Sequence, residues 1–237
     1  MDNKIKILTW NCNGAFRNKF KLLDKFGADI LIVQECENPE FSKSNDYKSW
    51  AGNYFWIGEN NHKGLAIFSK GPQIQKLEWE DKGLKLFLPV RVSDKFNLLG
   101  VWTKANLEKH SRYIGQFWLY LQFNEIKISS NPIVIGGDFN SNKIWDYKPR
   151  NATHSDVIMG LEKLEILSLY HLFNNEKQGE ETQPTFYLQK NTLKPFHIDY
   201  IFASKNLISK LDAYEVHKHS EWLDFSDHMP IVCEVKI

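Results

Sequence analysis

Residues 132–140 read Pro-Ile-Val-Ile-Gly-Gly-Asp-Phe-Asn. Pro132 to Gly136 is a short apolar run rich in β-branched residues, the pattern of a strand covered on both faces. The paired glycines permit close backbone approach. Asp138 and Asn140 then set two oxygen-bearing side chains at the strand's end. Taken alone, the segment fits an ordinary turn as well as a site.

The same arrangement recurs outward in both directions. Lys4 to Trp10 alternates like a strand and runs into Asn11-Cys12-Asn13-Gly14. Ala28 to Gln34 is nearly continuous in apolar residues and ends at Glu35. His197 to Ala203 reads as a strand carrying Asp199, and Ser226-Asp227-His228 precedes a last strand, Pro230 to Ile237.

Tyr54–Ile57, Leu65–Ser69, Ile74–Trp79, Leu84–Val92 and Phe96–Thr103 read as successive strands separated by turn residues. Strand after strand without helices implies antiparallel pairing. Helical spacing is found over Phe16–Phe26, over Ser111–Ile126 (with Ile114, Phe117, Trp118, Leu121 and Ile126 on the apolar side) and over Ser155–Leu167. Glu176–Thr182 is the most polar stretch and reads as a mobile loop. There is no repeat and no linker. The expectation is one domain over residues 1–237, of class α+β, with two stacked mixed β-sheets and helices outside.

Composition bounds the function. The 237 residues are 42% hydrophobic and 25% charged, ordinary for a folded soluble protein. Thirty basic against 29 acidic side chains give a net charge of +1, so no global attraction to nucleic acid or membrane operates. Local patches remain open. The three cysteines cannot form a disulfide framework, and reduced thiols in a cytoplasmic protein are expected. The first residues lack a secretory pattern, and the apolar runs are too short for membrane insertion. Aromatics reach 14%, with 8 Trp, most of them expected in the core. Oligomeric state is left open.

Each polar constellation has a plain reading. Asn11 can bond a turn, Glu35 can be exposed, and Asp227-His228 can cap a loop. Asp199 sits inside an apolar strand, where an unpartnered carboxylate is costly. Together they offer carboxylates, amides and one histidine, without clustered Cys or multiple His. Oxygen-rich sets suit Mg²⁺, with Mn²⁺ able to substitute, rather than structural zinc. Such an ion with an activated water is what phosphodiester hydrolysis needs.

In their order along the chain these motifs, from Trp10-Asn11-Cys12-Asn13-Gly14 to Ser226-Asp227-His228-Met229-Pro230-Ile231, resemble the endonuclease/exonuclease/phosphatase superfamily. Its members include abasic-site endonucleases, deoxyribonucleases, deadenylases, sphingomyelinases and inositol phosphatases. The resemblance implies a four-layer α/β/β/α sandwich with a metal site at one sheet edge. It also implies Glu35 as the main metal-binding carboxylate, arranged by Asn11, with Asp227 completing the metal environment. Asp138 would orient or deprotonate the attacking water, and Asn140 would hold the water or a phosphate oxygen. Asp199 would orient His228, which acts as general base or as a cationic phosphate clamp.

The pattern departs in places. Asn13 stands where abasic-site endonucleases carry Asp, so it is assigned to substrate rather than to a second metal. His197 replaces the commoner Arg before Ile198-Asp199-Tyr200. The strand ending at Trp102-Thr103-Lys104 lacks the His of deoxyribonuclease-like and sphingomyelinase-like members. Tyr113 matches a phosphate-contacting tyrosine, with a packing role as the alternative.

Nucleic acid is the leading substrate. Lys143, Lys148, Arg150 and His154 follow the GDFN motif with Trp145 and Tyr147 between them, a pattern that suits phosphates and stacked bases. Trp222 and Phe225 are expected to wall a base or sugar pocket. The alternatives are a small-molecule phosphodiesterase or phosphatase, or a non-catalytic nucleic-acid-binding protein.

Overall fold

A computed structural model of the chain describes residues 4–105, 112–148 and 151–236. Its first half runs β1 (Lys4–Asn11), β2 (Ile30–Cys36), α1 (Asn45–Ala51), β3 (Asn53–Asn60), β4 (Lys63–Ser69), β5 (Ile74–Lys76), β6 (Phe87–Val92) and β7 (Phe96–Trp102). Then come α2 (Ile114–Ser129), β8 (Ile133–Asp138), α3 (His154–Lys163), β9 (Ile166–Ser168), α4 (Leu169–Asn174), β10 (Phe186–Tyr187) and β11 (Pro195–Phe196). The chain closes with β12 (Asp199–Ser204), α5 (Lys205–Ile208), β13 (Leu211–Val216), α6 (His219–Trp222) and β14 (Ile231–Lys236).

Two six-stranded mixed sheets result, ordered β13-β14-β1-β2-β4-β3 and β5-β6-β7-β8-β12-β9, with β10 and β11 as a small separate pair. The pairs β1–β2 and β7–β8 are parallel and the other ladders antiparallel. The sheets stack through one apolar layer. Ile7, Ile32 and Ile67 of the first meet Leu98, Val134 and Ile201 of the second, all fully buried. Gly100 and Gly136 let Ile32 approach the second sheet's backbone.

Helices α2 and α3 cover the outer face of the second sheet, with Phe117, Leu121 and Leu161 against Leu99, Ile135 and Phe202. The outer face of the first sheet is covered by Phe16, Phe20, Leu23 and Tyr47. The four layers expected from sequence are present. Among the described residues no helix is long and apolar enough to cross a membrane.

Local departures have local causes. Phe16–Phe26 forms two 3₁₀ segments, Phe16–Asn18 and Phe20–Phe26, instead of one α-helix. Left-handed Ala15 and Gly27 bracket it, and Lys19 breaks it. The periodicity placed the right side chains inward, because an i, i+3 spacing falls on one face of a 3₁₀ turn as it does of an α turn. The helix expected to reach Leu167 ends at Lys163. Glu165 turns left-handed, and Ile166 and Leu167 enter the sheet beside β12.

In α2, Asn124 leaves helical geometry and bonds both backbone groups of Glu80. Ile126, placed on the packed face by spacing, therefore stands 84% exposed. Ser111, where that helix was expected to begin, lies outside the described residues. The strands read as Ile74–Trp79 and Leu84–Val92 are shorter. Trp79 stacks on Tyr120, and Leu86 takes a positive φ just before β6.

The polar stretch 176–182 is tied down rather than loose. Glu176 bonds Tyr170 and Thr182, while Glu181 bonds His171, Asn142 and the Gly179 amide.

Candidate active site

Strand register brings the site together. Asp138 ends β8 directly opposite Asp199, which begins β12. On the other sheet, Asn11 ends β1 opposite Gln34 of β2. Glu35 follows as the extra residue of a β-bulge, because the register with β4 jumps between Gln34 and Cys36. Its φ of 61° is left-handed. That conformation costs a non-glycine residue about 1–2 kcal/mol, and the bulge re-aims the carboxylate out of the ladder.

The edges of the two sheets are joined by one amide. Asn11 Nδ2 donates to Asp138 Oδ2 at 2.9 Å and reaches Glu35 Oε1 at 3.4 Å. Asn11 Oδ1 accepts from the Asn13 amide N–H. Asn140, also left-handed, donates its backbone N–H to Asp138 Oδ1 and its side-chain amide to Asp138 Oδ2, both at 2.9 Å. Gly137 makes this turn possible, since a Cβ there would lie 1.9 Å from the Val101 carbonyl oxygen, at a φ of 148°.

His228 stands between the two aspartates. Its Nδ1 lies 2.9 Å from Asp199 Oδ2, and its Nε2 lies 3.9 Å from Asp138 Oδ2. All three side chains are buried. Burial pushes the Asp138 carboxyl up, against the opposing pull of the His228 charge. Burial alone would lower His228, but the charges of Asp199 and then Asp138 outweigh it and hold the imidazole well above its ordinary value. Both carboxylates favour the protonated imidazole.

Two residues outside the sequence assignments frame His228. Trp10 Nε1 donates to the His228 carbonyl, and Ser226 Oγ accepts the His228 amide while donating to the Asn11 carbonyl. The ring of Phe186 lies 4.6 Å from that of His228. Phe196 lies beyond it and Trp145 beyond Phe196, forming an aromatic row. Phe186 sits in a two-residue strand, too short to leave a periodic signal. Lys63 forms an ion pair with Glu35, a contact set by the β2–β4 register and by no local motif.

Other sequence candidates are placed as follows. Tyr113 lines a cavity with Glu35 and Asn140. Phe225 is partly exposed and lies beside Trp222. Trp222 does not wall a pocket: it is 1% exposed and packs on Trp10 and Phe26. His154 is buried against Ser141 and Gln178, which removes it from the basic loop. His197 is a core residue whose Nδ1 pairs with the Gln183 carbonyl. Arg150 lies outside the described residues. The three cysteines are free and buried.

Asp138, Asp199 and His228 offer ligand atoms within 4.8 Å of one another, a group that could hold a metal ion. Glu35 and Asp227, the metal candidates from sequence, are outside that group. Asp227 contributes negative charge near His228.

The endonuclease/exonuclease/phosphatase family profile matches residues 8–228, from before Trp10 to His228. The chain belongs to this family. Among curated protein sequences, none matches it. Solved structures of the same fold include a 3′-5′ exonuclease from Neisseria meningitidis, at 18% identity and a TM-score of 0.76, covering 98% of this chain and 100% of that one. A 3′ phosphatase from Neisseria bound to product DNA hairpin has 19% identity and a TM-score of 0.74, over 98% and 100%. An AP endonuclease from Archaeoglobus fulgidus has 19% identity and a TM-score of 0.72, over 97% and 98%.

Proposed function

We propose that this chain is a divalent-metal-dependent phosphodiesterase that hydrolyses nucleic acid, with DNA as the leading substrate, working as one domain. The observation that carries this reading is the convergence of Asn11, Glu35, Asp138, Asn140, Asp199 and His228 at one sheet edge. The similar folds described as an exonuclease, a DNA-bound phosphatase and an AP endonuclease support it. Buried, unpaired thiols suit the reducing cytoplasm.

The donor set fits Mg²⁺. Glu35 is partly open to solvent and beside the oxygen-rich pair Asn11 and Asp138, a hard-ligand environment. Lys63 supplies positive charge to that same carboxylate. Glu35 would hold the ion, with Asn11 keeping Asp138 in reach. When bound, it neutralises phosphate charge and stabilises the leaving oxygen.

The chain's own groups do the rest. Asp138, its basicity raised by burial, takes a proton from the attacking water. Asn140 fixes the Asp138 carboxylate through Nδ2, whose other hydrogen goes to the Thr103 carbonyl, and leaves its Oδ1 to accept from the attacking water. His228, kept protonated by Asp199, donates from Nε2 to a phosphate oxygen. The charges of Asp199 and Asp138, which favour the protonated imidazole, support the clamp role over the general-base role. The aromatic row of Phe186, Phe196 and Trp145 offers faces on which a base or sugar stacks.

The test is hydrolysis of plasmid DNA, single-stranded DNA, RNA, an abasic-site duplex and an aryl phosphodiester. Each is assayed with Mg²⁺, with EDTA, and with His228→Ala beside the wild type. Metal-dependent cleavage of a polymer, lost in the variant, is expected. Cleavage of the aryl ester alone would move the assignment to a small-molecule phosphoesterase.

A further inference from the structure

A cavity of about 550 Å³ opens beside the catalytic group. Glu35 and Asn140 line one part of it, and Lys63, Lys104, Trp102 and Tyr113 line another. Lys63 is the counter-ion of Glu35. The Lys104 ammonium rests 3.8 Å from the centroid of the Trp102 ring. Glu59 and Glu35 attract it only at longer range. Among the described residues the lining thus holds two ammonium groups against one carboxylate. A divalent cation on Glu35 would leave Lys63 without its partner and deepen that surplus. Tyr113 adds a neutral polar side chain to the lining.

His228, which clamps the scissile phosphate, does not line this cavity, whereas Asn140 belongs to both places. The two ammonium groups therefore lie on the Glu35 side of the centre, away from His228. A strand of nucleic acid carries further phosphates on either side of the one cleaved, and a simple diester carries none. We infer that Lys63 and Lys104 form a second phosphate subsite on the Glu35 side of the active centre, which reads the phosphate adjoining the one cleaved. This rests on the nuclease reading above and names the part of the substrate that the Glu35 side recognises. Lys104 is held by its contact with the indole face, so its charge is placed before substrate arrives.

The experiment compares two short oligonucleotides that differ at one linkage. In the first every linkage is a phosphate. In the second a neutral methylphosphonate replaces the linkage next to the cleaved bond, on either side in turn. Wild type, Lys104→Met, Lys63→Met and Lys104→Arg are assayed, with thermal unfolding as the check on folding. One charge-assisted contact predicts that wild type prefers the all-phosphate strand by about ten-fold in kcat/KM for one of the two positions. Lys104→Met and Lys63→Met should shrink that preference toward unity, and Lys104→Arg should keep it. The salt dependence of KM should fall by about 0.7–0.9 in log–log slope for each methionine variant.

Equal losses on both substrates, or no discrimination by wild type, would overturn the subsite. If wild type cleaves neither strand, the nuclease reading fails first. Binding of the fluorescent all-phosphate strand in EDTA then decides the subsite. Weaker, less salt-dependent binding by Lys104→Met supports it, and unchanged binding refutes it.

Discussion

Asn11 and Asp138 are 127 residues apart in sequence, end strands in different sheets, and share a 2.9 Å hydrogen bond. This contact stitches the two sheets together at the edge where the chemistry is placed. It also makes Asp138 depend on a group from the far sheet.

Replacing Asn11 by Ala leaves the buried Asp138 carboxylate short of a donor. The expected loss of stability is about 1–3 kcal/mol, the cost of an unsatisfied buried polar group. Urea unfolding measures it. Asn11→Asp should be worse than Asn11→Ala, because it brings a third negative charge beside Glu35 and Asp138.

Asp199 is the counter-charge that keeps His228 protonated. In Asp199→Asn the imidazole loses its strongest attraction, and burial, which favours the neutral form, takes over. The His228 pKa then falls. On the proposed clamp role the protonated form is the active one, so the alkaline limb of the pH–rate profile should move to lower pH. A histidine NMR titration checks the same shift directly, and an unmoved alkaline limb would remove Asp199 from this role.

His197 predicts acid sensitivity of the fold. Burial depresses its pKa from 6.5 to about 4. Between those values the unfolded chain binds a proton that the folded chain refuses. The stability contribution is therefore present above pH 6.5 and is lost as pH falls toward 4, by about 3 kcal/mol in total. Unfolding of His197→Asn and wild type across this range should show a shallower acid slope in the variant.

Gly137→Ala places a Cβ against the Val101 carbonyl at 1.9 Å, in a backbone region closed to L residues. A destabilisation of about 4 kcal/mol or more is expected, at the severe end for single substitutions. Calorimetry measures it, and Asp138 should lose its geometry in whatever fraction still folds.

Much of this was legible in the sequence because the motifs lie at strand ends. The Pro132–Gly136 run is buried on both faces and so cannot hide its pattern, and Asp138 follows by covalent connection. Trp222 was misplaced because an indole close to a catalytic motif in sequence is as easily core as wall. Only the packing on Trp10 and Phe26 distinguishes the two. Ile126 misled because a tertiary contact, from Asn124 to Glu80, overrode helical spacing. Lys63 and Phe186 were invisible, since each reaches the site through strand pairing rather than through its neighbours in the chain.

The most direct measurement is single-turnover cleavage of an end-labelled oligonucleotide in Mg²⁺ by wild type and by Asp138→Asn, with thermal unfolding of both. Labelled fragments from wild type are predicted, with cleavage about 10²–10⁴-fold slower in the variant, the scale of a lost general base. Matching rates from two equally folded proteins would contradict the assignment of Asp138 and, with it, of the site.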